Sequence, residues 1–387
     1  MAIRTIGIIM HGVTGRMGYN QHLVRSIIAI RDQGGVNLPN GDRVMPDPIL
    51  VGRDLEKVKR IADRHAIARV TDDLDTALAN PADSIFFDAA TTRVRASLLT
   101  RAIEAGKHIY CEKPIADTLE RALTLAQLAR KRGIKHGVVQ DKLFLPGLQK
   151  IRMLREAGFF GRLLSVRGEF GYWVFEGDWQ SAQRPSWNYR KVEGGGIILD
   201  MLCHWRYVLD HLFGAVKAVS CIGANHIATR VDENGRPYNA DADDAAYATF
   251  ELENGVIAQI NSSWCVRVRR DDLVTFQVDG IDGSAVAGLT RCWTQHRVTT
   301  PRAVWNPDQP QSMNFPMQWQ EMPDTVSYDN GFKVQWENFI RHVAANTPWH
   351  HDLIEGAKGV QLAEIGLRSS IERRWLPVPA LDDYRLG

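Results

Sequence analysis

The first apolar run, residues 4–10 (RTIGIIM), is too short for a helix and reads as a buried strand. A glycine turn follows. Apolar positions then recur at helical spacing through 19–33 (YNQHLVRSIIAIRDQ), and after a loop rich in Gly, Pro and Asn a second strand reads DPILVGR. The alternation continues. LEKVKRIADRHA is helical, SIFFDAA a strand, RASLLTRAIEAG helical, KHIYC a strand, LERALTLAQLARKRG helical and IKHGVVQ a strand. Strands separated by helices of ten or more residues build βαβ units and a parallel sheet. This half ends near residue 140. A helix at FLPGLQKIRMLREAG then leads into longer strand-like runs: RLLSVRGEFGYWVF, AVKAVSCIGAN, DAAYATFELENGVIAQINSSW and LVTFQVDGIDGSAVAG. Tight Gly turns without intervening helices imply antiparallel pairing. Helical period returns in FKVQWENFIRHVAA and LIEGAKGVQLAEIGLRSSIERR. The expected architecture is an α/β domain over 1–140 and an α+β domain with an open, mostly antiparallel sheet over 141–387. The C-terminal helices are free to pack back on the first domain.

Composition narrows the function classes. The net charge is +2 on 387 residues, too small an excess for a nucleic-acid partner. No apolar run reaches the ~20 residues of a membrane span, and the N-terminal run lacks the form of a secretion signal. Five cysteines, Cys111, Cys203, Cys221, Cys265 and Cys292, are scattered without C-x-x-C spacing. We therefore expect no disulfide framework, no metal site and a reduced, cytoplasmic protein without membrane contact.

Between the first strand and its helix lies HGVTGRMG, with Gly12, Gly15 and Gly18 three residues apart. A phosphate can approach backbone N–H groups only where Cβ atoms are absent, and a helix start adds partial positive charge. Thr14 offers a hydroxyl and Arg16 a cation, with Met17 completing the loop. This context points to a dinucleotide. NAD sites usually end the second strand with an acid for the ribose hydroxyls. Here that strand ends LVGRD, with Gly52 at the acid position and Arg53 beside it, which leans toward NADP and leaves NAD open. The competing reading makes Arg53 a solvated residue and Asp54 a helix cap.

The strand KHIYC ends in Glu112, Lys113 and Pro114, where open α/β sheets bind ligands. Further on, GGGIILDMLCHW sets Asp200 and His204 four residues apart, on one helix face. The EKP motif after AGKHIYC, the N-terminal glycine loop and GGGIILDMLCH together resemble the Gfo/Idh/MocA oxidoreductases, the glucose–fructose oxidoreductase and inositol dehydrogenase group. The resemblance runs over essentially the whole chain. It implies a Rossmann domain, then an α+β domain whose sheet packs a homodimer or homotetramer, and hydride exchange between NAD(P) and a hydroxyl of a carbohydrate or polyol. Its motif lysine falls on Lys113, and its aspartate and histidine fall on Asp200 and His204.

Histidine suits a base for a hydroxyl proton near neutral pH, and a lysine cation stabilises a developing alkoxide. Asp200 can bond the substrate or the imidazole, and Gly194–Gly196 are expected to let backbone pass close to the ligand. A purely structural Asp–His pair has the same spacing. Two departures from the family stand out. DAATTRVRA lacks the usual proline and puts Arg95 where a histidine is common, with Ala89 to Thr92 (Ala89 and Thr91 above all) as candidates near the nicotinamide ribose. VVQDKLFLP places Lys142 where an aromatic-and-arginine segment is expected. Glu112 joins the cofactor set. Tyr172, Trp173, Arg184 and Asn188, in an aromatic-rich stretch, join Lys142, Asp200 and His204 as substrate candidates. Other readings are a sugar-sensing regulator without catalysis and a reductase of imine or unsaturated substrates, since GVTGRMG also resembles the loop of dihydrodipicolinate reductase.

Overall fold

The structure is a computed structural model that describes residues 2–381 and 384. The chain forms two compact units. The first holds the N-terminal stretch to Phe144, Asp329–Glu364 and the residues from Ala380; the second holds Leu145–Tyr328 and Ile365–Pro379.

The first unit is built on β1 (Ile3–His11), β2 (Val36–Asn37), β3 (Arg43–Val51), β4 (Arg69–Thr71), β5 (Asp83–Asp88), β6 (His108–Cys111) and β7 (His136–Val138). All pair in parallel except β2, which runs against β3. The order is β2-β3-β1-β5-β6-β7, with β4 also on β3. The chain leaves β1 to one side and returns to its other side at β5, so the sheet reverses its winding between these two strands. Ligands of doubly wound sheets bind at the carboxyl ends of the strands at such a reversal. The short β4 and the helix Leu74–Ala79 were not expected, because three residues and six residues carry no readable period. The first helix opens with wide π turns over Gly18–Ile28 before it becomes α-helical at Ala29–Asp32.

The helix Gly331–Ala345 belongs to this unit. Asn330 caps it by accepting from the Phe332 and Lys333 N–H groups at 3.0 and 3.3 Å. Trp336, Phe339 and Ile340 are fully buried in one cluster with Ile8, Met10, Phe87 and Tyr110. Burial of three large side chains, each worth ~1.5–3 kcal/mol, fixes this helix on the sheet.

The second unit carries β8 (Leu163–Gly171), β9 (Val216–Ala224), β10 (Thr229–Val231), β11 (Pro237–Asn239), β12 (Ala245–Leu252), β13 (Ile257–Ser263), β14 (Val274–Gly280), β15 (Gly283–Ala287), β16 (Cys292–His296), β17 (Gln320–Glu321) and β18 (Leu376–Pro377). Nine of these form one sheet in the order β17-β16-β15-β14-β8-β13-β12-β9-β18, antiparallel except for the β8–β13 pair. Along β13, and along β12 from Ala246 on, buried positions alternate with more exposed ones. One face is thus covered and the other, which includes Ile222, Tyr247 and Ile257, faces outward. The helix Ile197–Leu212 lies on the covered face, anchored where the Trp205 indole N–H donates to Ser262 Oγ at 2.9 Å. Among the described residues no helix is long and apolar enough to cross a membrane.

Candidate functional site

In the first unit the glycine loop joins β1 to the helix that follows. Gly12 has φ +81°, and a Cβ there would lie 2.5 Å from the Ala89 carbonyl carbon. A Cβ on Gly18 would collide with the Gly12 carbonyl oxygen. Gly15 differs. Its Cβ would meet only the Gly12 oxygen, at an ordinary 3.5 Å, and the residue is exposed. The protein thus leaves an open cradle over Gly15, as an approaching pyrophosphate requires. Arg16 is exposed beside it, while Thr14 and Met17 are half-buried.

Opposite this loop, His11 and Asp88 are paired across β1 and β5, and His11 Nδ1 lies 2.7 Å from Asp88 Oδ1. Arg95 Nε donates to Asp88 Oδ2 at 2.9 Å, and its two terminal nitrogens donate to the carbonyls of Ala90 and Pro114. Burial alone would raise the Asp88 pKa, but the His11 hydrogen bond and the Arg95 charge outweigh it and hold the carboxyl below its usual range. Arg95 is only 3% exposed. The residue that departs from the family pattern therefore ties the loop after β5, with Ala89 and Thr91, to the loop after β6.

Glu112 and Lys113 follow β6. Glu112 is buried, its Oε1 2.8 Å from His22 Nε2, while the Lys113 N–H donates to its Oε2 at 3.0 Å. The Trp336 indole N–H donates to His22 Nδ1 at 3.0 Å. An indole nitrogen can only donate, so Nδ1 of His22 bears a lone pair and Nε2 carries the proton given to Glu112. His22 is therefore a neutral donor rather than half of an ion pair. Burial opposes the Glu112 charge, yet the His22 bond and the nearby Lys113 and Arg95 charges keep its pKa low. Glu112 is thereby committed to the turn that presents Lys113.

At the end of β3, Gly52 packs against Val58, where a Cβ would come within 2.8 Å. Asp54 caps the next helix by accepting from the Lys57 N–H at 2.9 Å. Arg53 is exposed.

In the second unit, Asp243 starts the helix that bears Asp200 and His204. Its main-chain oxygen accepts from the Ile197 N–H at 2.9 Å and its Oδ2 from the Ile198 N–H at 2.7 Å. The three glycines ahead of this helix answer to the protein itself. Gly194 and Gly196 have φ +79° and +118°, and a Cβ on Gly195 would sit 2.5 Å from the Asn188 and Trp187 oxygens. This corrects the expectation that they make room for a ligand.

Asp200 Oδ2 accepts from Arg184 Nη1 at 3.2 Å. Arg184 also donates Nε–H to the Tyr172 hydroxyl at 3.2 Å and Nη1–H to Asn188 Oδ1 at 3.4 Å, and it lies over the Trp264 ring at 4.3 Å. Burial disfavours its charge, but Asp200 and Tyr172 more than compensate and raise its pKa. His204 is 5% exposed, and its Nδ1 lies 2.7 Å from the Tyr207 hydroxyl. Among the described residues no group of three His, Cys, Asp or Glu side chains is arranged to hold a metal.

Comparison with known proteins agrees with this layout. Residues 48–139 match the model of an oxidoreductase family with an NAD-binding Rossmann fold, and residues 148–286 match a GFO/IDH/MocA C-terminal domain. Over 380 residues the chain is 55% identical to a D-xylose dehydrogenase of Paenarthrobacter nicotinovorans, covering 97% of this chain and 98% of that one. The chain belongs to the Gfo/Idh/MocA family. It is therefore an oxidoreductase, with an NAD-binding Rossmann domain followed by a domain whose sheet is mostly antiparallel. A levoglucosan dehydrogenase of Pseudarthrobacter phenanthrenivorans is 25% identical over 252 residues, 61% of this chain and 63% of the relative. A levoglucosan dehydrogenase solved with NADH and levoglucosan shares the fold, with TM-score 0.79 at 22% identity over 98% of this chain and 100% of that one.

Within this family frame, the second unit brings together Tyr172, Arg184, Asn188 and Asp200, four of the substrate candidates, with His204 one helical turn beyond Asp200. It does not bring Trp173 to them. Tyr172 and Trp173 are neighbours in extended chain and point to opposite sides. The Trp173 ring lies instead against the Arg267 guanidinium, 3.8 Å away. Lys142 is in the first unit, where its Nζ lies 3.4 Å from Asp141. The sequence reading missed Tyr207, although its i,i+3 spacing from His204 was a usable signal. It also missed His22 and Trp336, which 314 residues separate.

Proposed function

We propose that the chain is an NAD(P)-dependent dehydrogenase that oxidises a ring hydroxyl of a sugar, with D-xylose the first substrate to test. The supporting observation is the 55% identity to a D-xylose dehydrogenase over nearly the full length of both chains. On this reading Gly12, Thr14, Gly15, Arg16, Met17, Ala89 and Thr91 hold the cofactor, whose nicotinamide accepts the hydride when bound. Asp200, Arg184, Asn188 and Tyr172 bind sugar hydroxyls, an aspartate–arginine pair being able both to accept and to donate. His204 takes the hydroxyl proton at Nε2, with Nδ1–H donated to Tyr207 to fix the ring. Lys113 supplies the cation that favours the alkoxide, on a turn that Glu112 holds. Arg53 leans the cofactor choice toward NADP, since Gly52 leaves no acid at the 2′-hydroxyl position. The outward face of the nine-stranded sheet is the surface for a homodimer or homotetramer.

The test is steady-state turnover of D-xylose with NAD and with NADP. His204→Ala and Lys113→Ala should each lower kcat by about 100-fold or more, the scale of general acid–base help. Near-normal kcat in both variants would sink the assignment. Tyr207→Phe should move the acidic limb of the kcat/KM pH profile while leaving the fold intact.

A further inference from the structure

Beside the nine-stranded sheet of the second unit, β10 and β11 form a two-stranded sheet of their own. A lone hairpin is marginally stable, so its footing decides where it sits. Asp244 holds the root. It accepts from the His226 and Ile227 N–H groups at 2.8 and 3.0 Å and from Arg230 Nη2 at 3.4 Å. Asp232 closes the turn, its Oδ1 accepting from the Asn234 and Arg236 N–H groups, both at 2.9 Å. The next residue, Glu233, is thereby placed at the tip.

From this footing the hairpin holds both arms of the segment that carries Tyr172, Arg184 and Asn188. On the Tyr172 side, the Val231 N–H donates to the Glu176 carbonyl at 2.8 Å, and Arg230 Nη1 reaches the Val174 carbonyl at 3.5 Å. On the Arg184 side the Arg230 guanidinium lies 3.9 Å over the Tyr189 ring, and the Arg190 guanidinium lies 4.5 Å over the Tyr238 ring. Glu233 takes Ser186 twice. Its Oε1 accepts from the Ser186 N–H at 2.7 Å and its Oε2 from the Ser186 hydroxyl at 2.9 Å. Hydrogen bonds to a carboxylate are stronger than neutral ones. The Ser186 N–H, Glu233's own N–H and the Ser186 hydroxyl together keep the Glu233 carboxyl below its usual range.

Ser186 is two residues from Arg184 and two from Asn188. The Asn188 N–H and Nδ2–H both donate to the Pro185 carbonyl, at 3.1 and 2.9 Å. Holding Ser186 therefore holds the backbone from which Arg184 and Asn188 project. Glu233 is exposed, so its removal leaves no cavity behind.

We propose that Glu233 is a positioning residue for substrate binding: the β10–β11 hairpin clamps the Ser186 turn, and the clamp sets where Arg184 and Asn188 meet the sugar. The inference rests on the reading above that these two residues bind sugar hydroxyls.

The test pairs steady-state kinetics on D-xylose with hydrogen exchange, both on the full-length protein. Glu233→Ala should raise KM for D-xylose about threefold or more with kcat within about twofold, because the loss falls on binding and not on the reacting groups. The Kd of the dinucleotide should stay at the parent value. Glu233→Gln, which keeps one acceptor, should recover part of the KM. Ser186→Ala should raise KM less than Glu233→Ala and add nothing in the double variant, since both remove the same hold. Asn234→Ala, at the neighbouring turn position, should leave KM unchanged. Exchange across residues 186–190 should quicken about threefold or more in Glu233→Ala. Unchanged exchange there would overturn the clamp. Faster exchange with an unchanged KM would overturn its link to the sugar. An equal rise in KM for Asn234→Ala, or additive effects in the double variant, would overturn the route through Ser186 in favour of a general loosening of the hairpin. Absence of D-xylose turnover in the parent protein would count against the dehydrogenase reading alone, and the exchange result would then still decide the clamp.

Discussion

The two glycine runs look alike in sequence and differ in the structure. Around β1 two of the three glycines, Gly12 and Gly18, are demanded by neighbouring backbone, and Gly15 is demanded by nothing in the protein. Ahead of the helix Ile197–Leu212 all three are accounted for by the chain: Gly194 and Gly196 by positive φ, Gly195 by the Trp187 and Asn188 carbonyls. On the function proposed above, Gly15, the glycine that the protein does not require, is the one that lies against the cofactor. A glycine run alone cannot make that distinction, because steric demand from the fold and steric demand from a phosphate leave the same residue behind.

The largest effects should come where the fold itself needs the glycine. Gly18→Ala drives a methyl into the Gly12 carbonyl and Gly195→Ala drives one into Asn188. Each should cost about 3 kcal/mol of stability, the upper range for overpacking, visible as a lowered midpoint in urea unfolding. An unchanged midpoint for both would break the comparison. Gly15→Ala should do the reverse. Its stability should stay within about 0.5 kcal/mol of the parent, while the Kd for the nicotinamide dinucleotide rises about tenfold or more, some 1.4 kcal/mol. Unaltered cofactor affinity in Gly15→Ala would show that the open cradle is not where phosphate sits.

Much of this was legible in the chain. The alternation of short apolar runs with helical periods pointed to the first sheet, the longer runs joined by Gly turns to the second, and EKP with the glycine loop and GGGIILDMLCH to the family. What escaped was set by contacts distant in sequence or by elements too short to carry a period. β4 and β17 have three and two residues. Trp336, His22 and Glu112 come from three separate stretches, and only the folded core shows that the indole fixes the imidazole and the imidazole the carboxylate. Trp173 is a different case. Neighbouring residues in extended chain face opposite ways, so the grouping of Tyr172 with Trp173 could have been refused from the sequence alone.

The acids that support the two glycine runs titrate in opposite senses, and this gives the smallest and most discriminating effect. Asp88 precedes Ala89, against which Gly12 packs, and its folded-state pKa lies below the ordinary value. An acid with a lowered pKa contributes stability that is present above its unfolded pKa of about 3.9 and is lost as pH falls through the folded value. Asp243 touches Gly196, and its pKa is raised, because burial outweighs the N–H groups of Ile198 and of its own residue. Its contribution has the other sign, present at low pH and lost as pH rises from the unfolded pKa through the folded one. Hydrogen exchange of backbone amides reads the two regions separately. Between about pH 6 and pH 4, above the reference carboxyl value, the amides of Gly15 and Tyr19 should hold or lose protection on acidification, once intrinsic rates are corrected, and those of Ile197 and Ile198 should gain it. Asp243→Asn should remove the gain and leave the glycine loop of the first unit as it was. Parallel behaviour of the two sets would mean that the carboxylates act on the whole molecule rather than on the turns they sit beside.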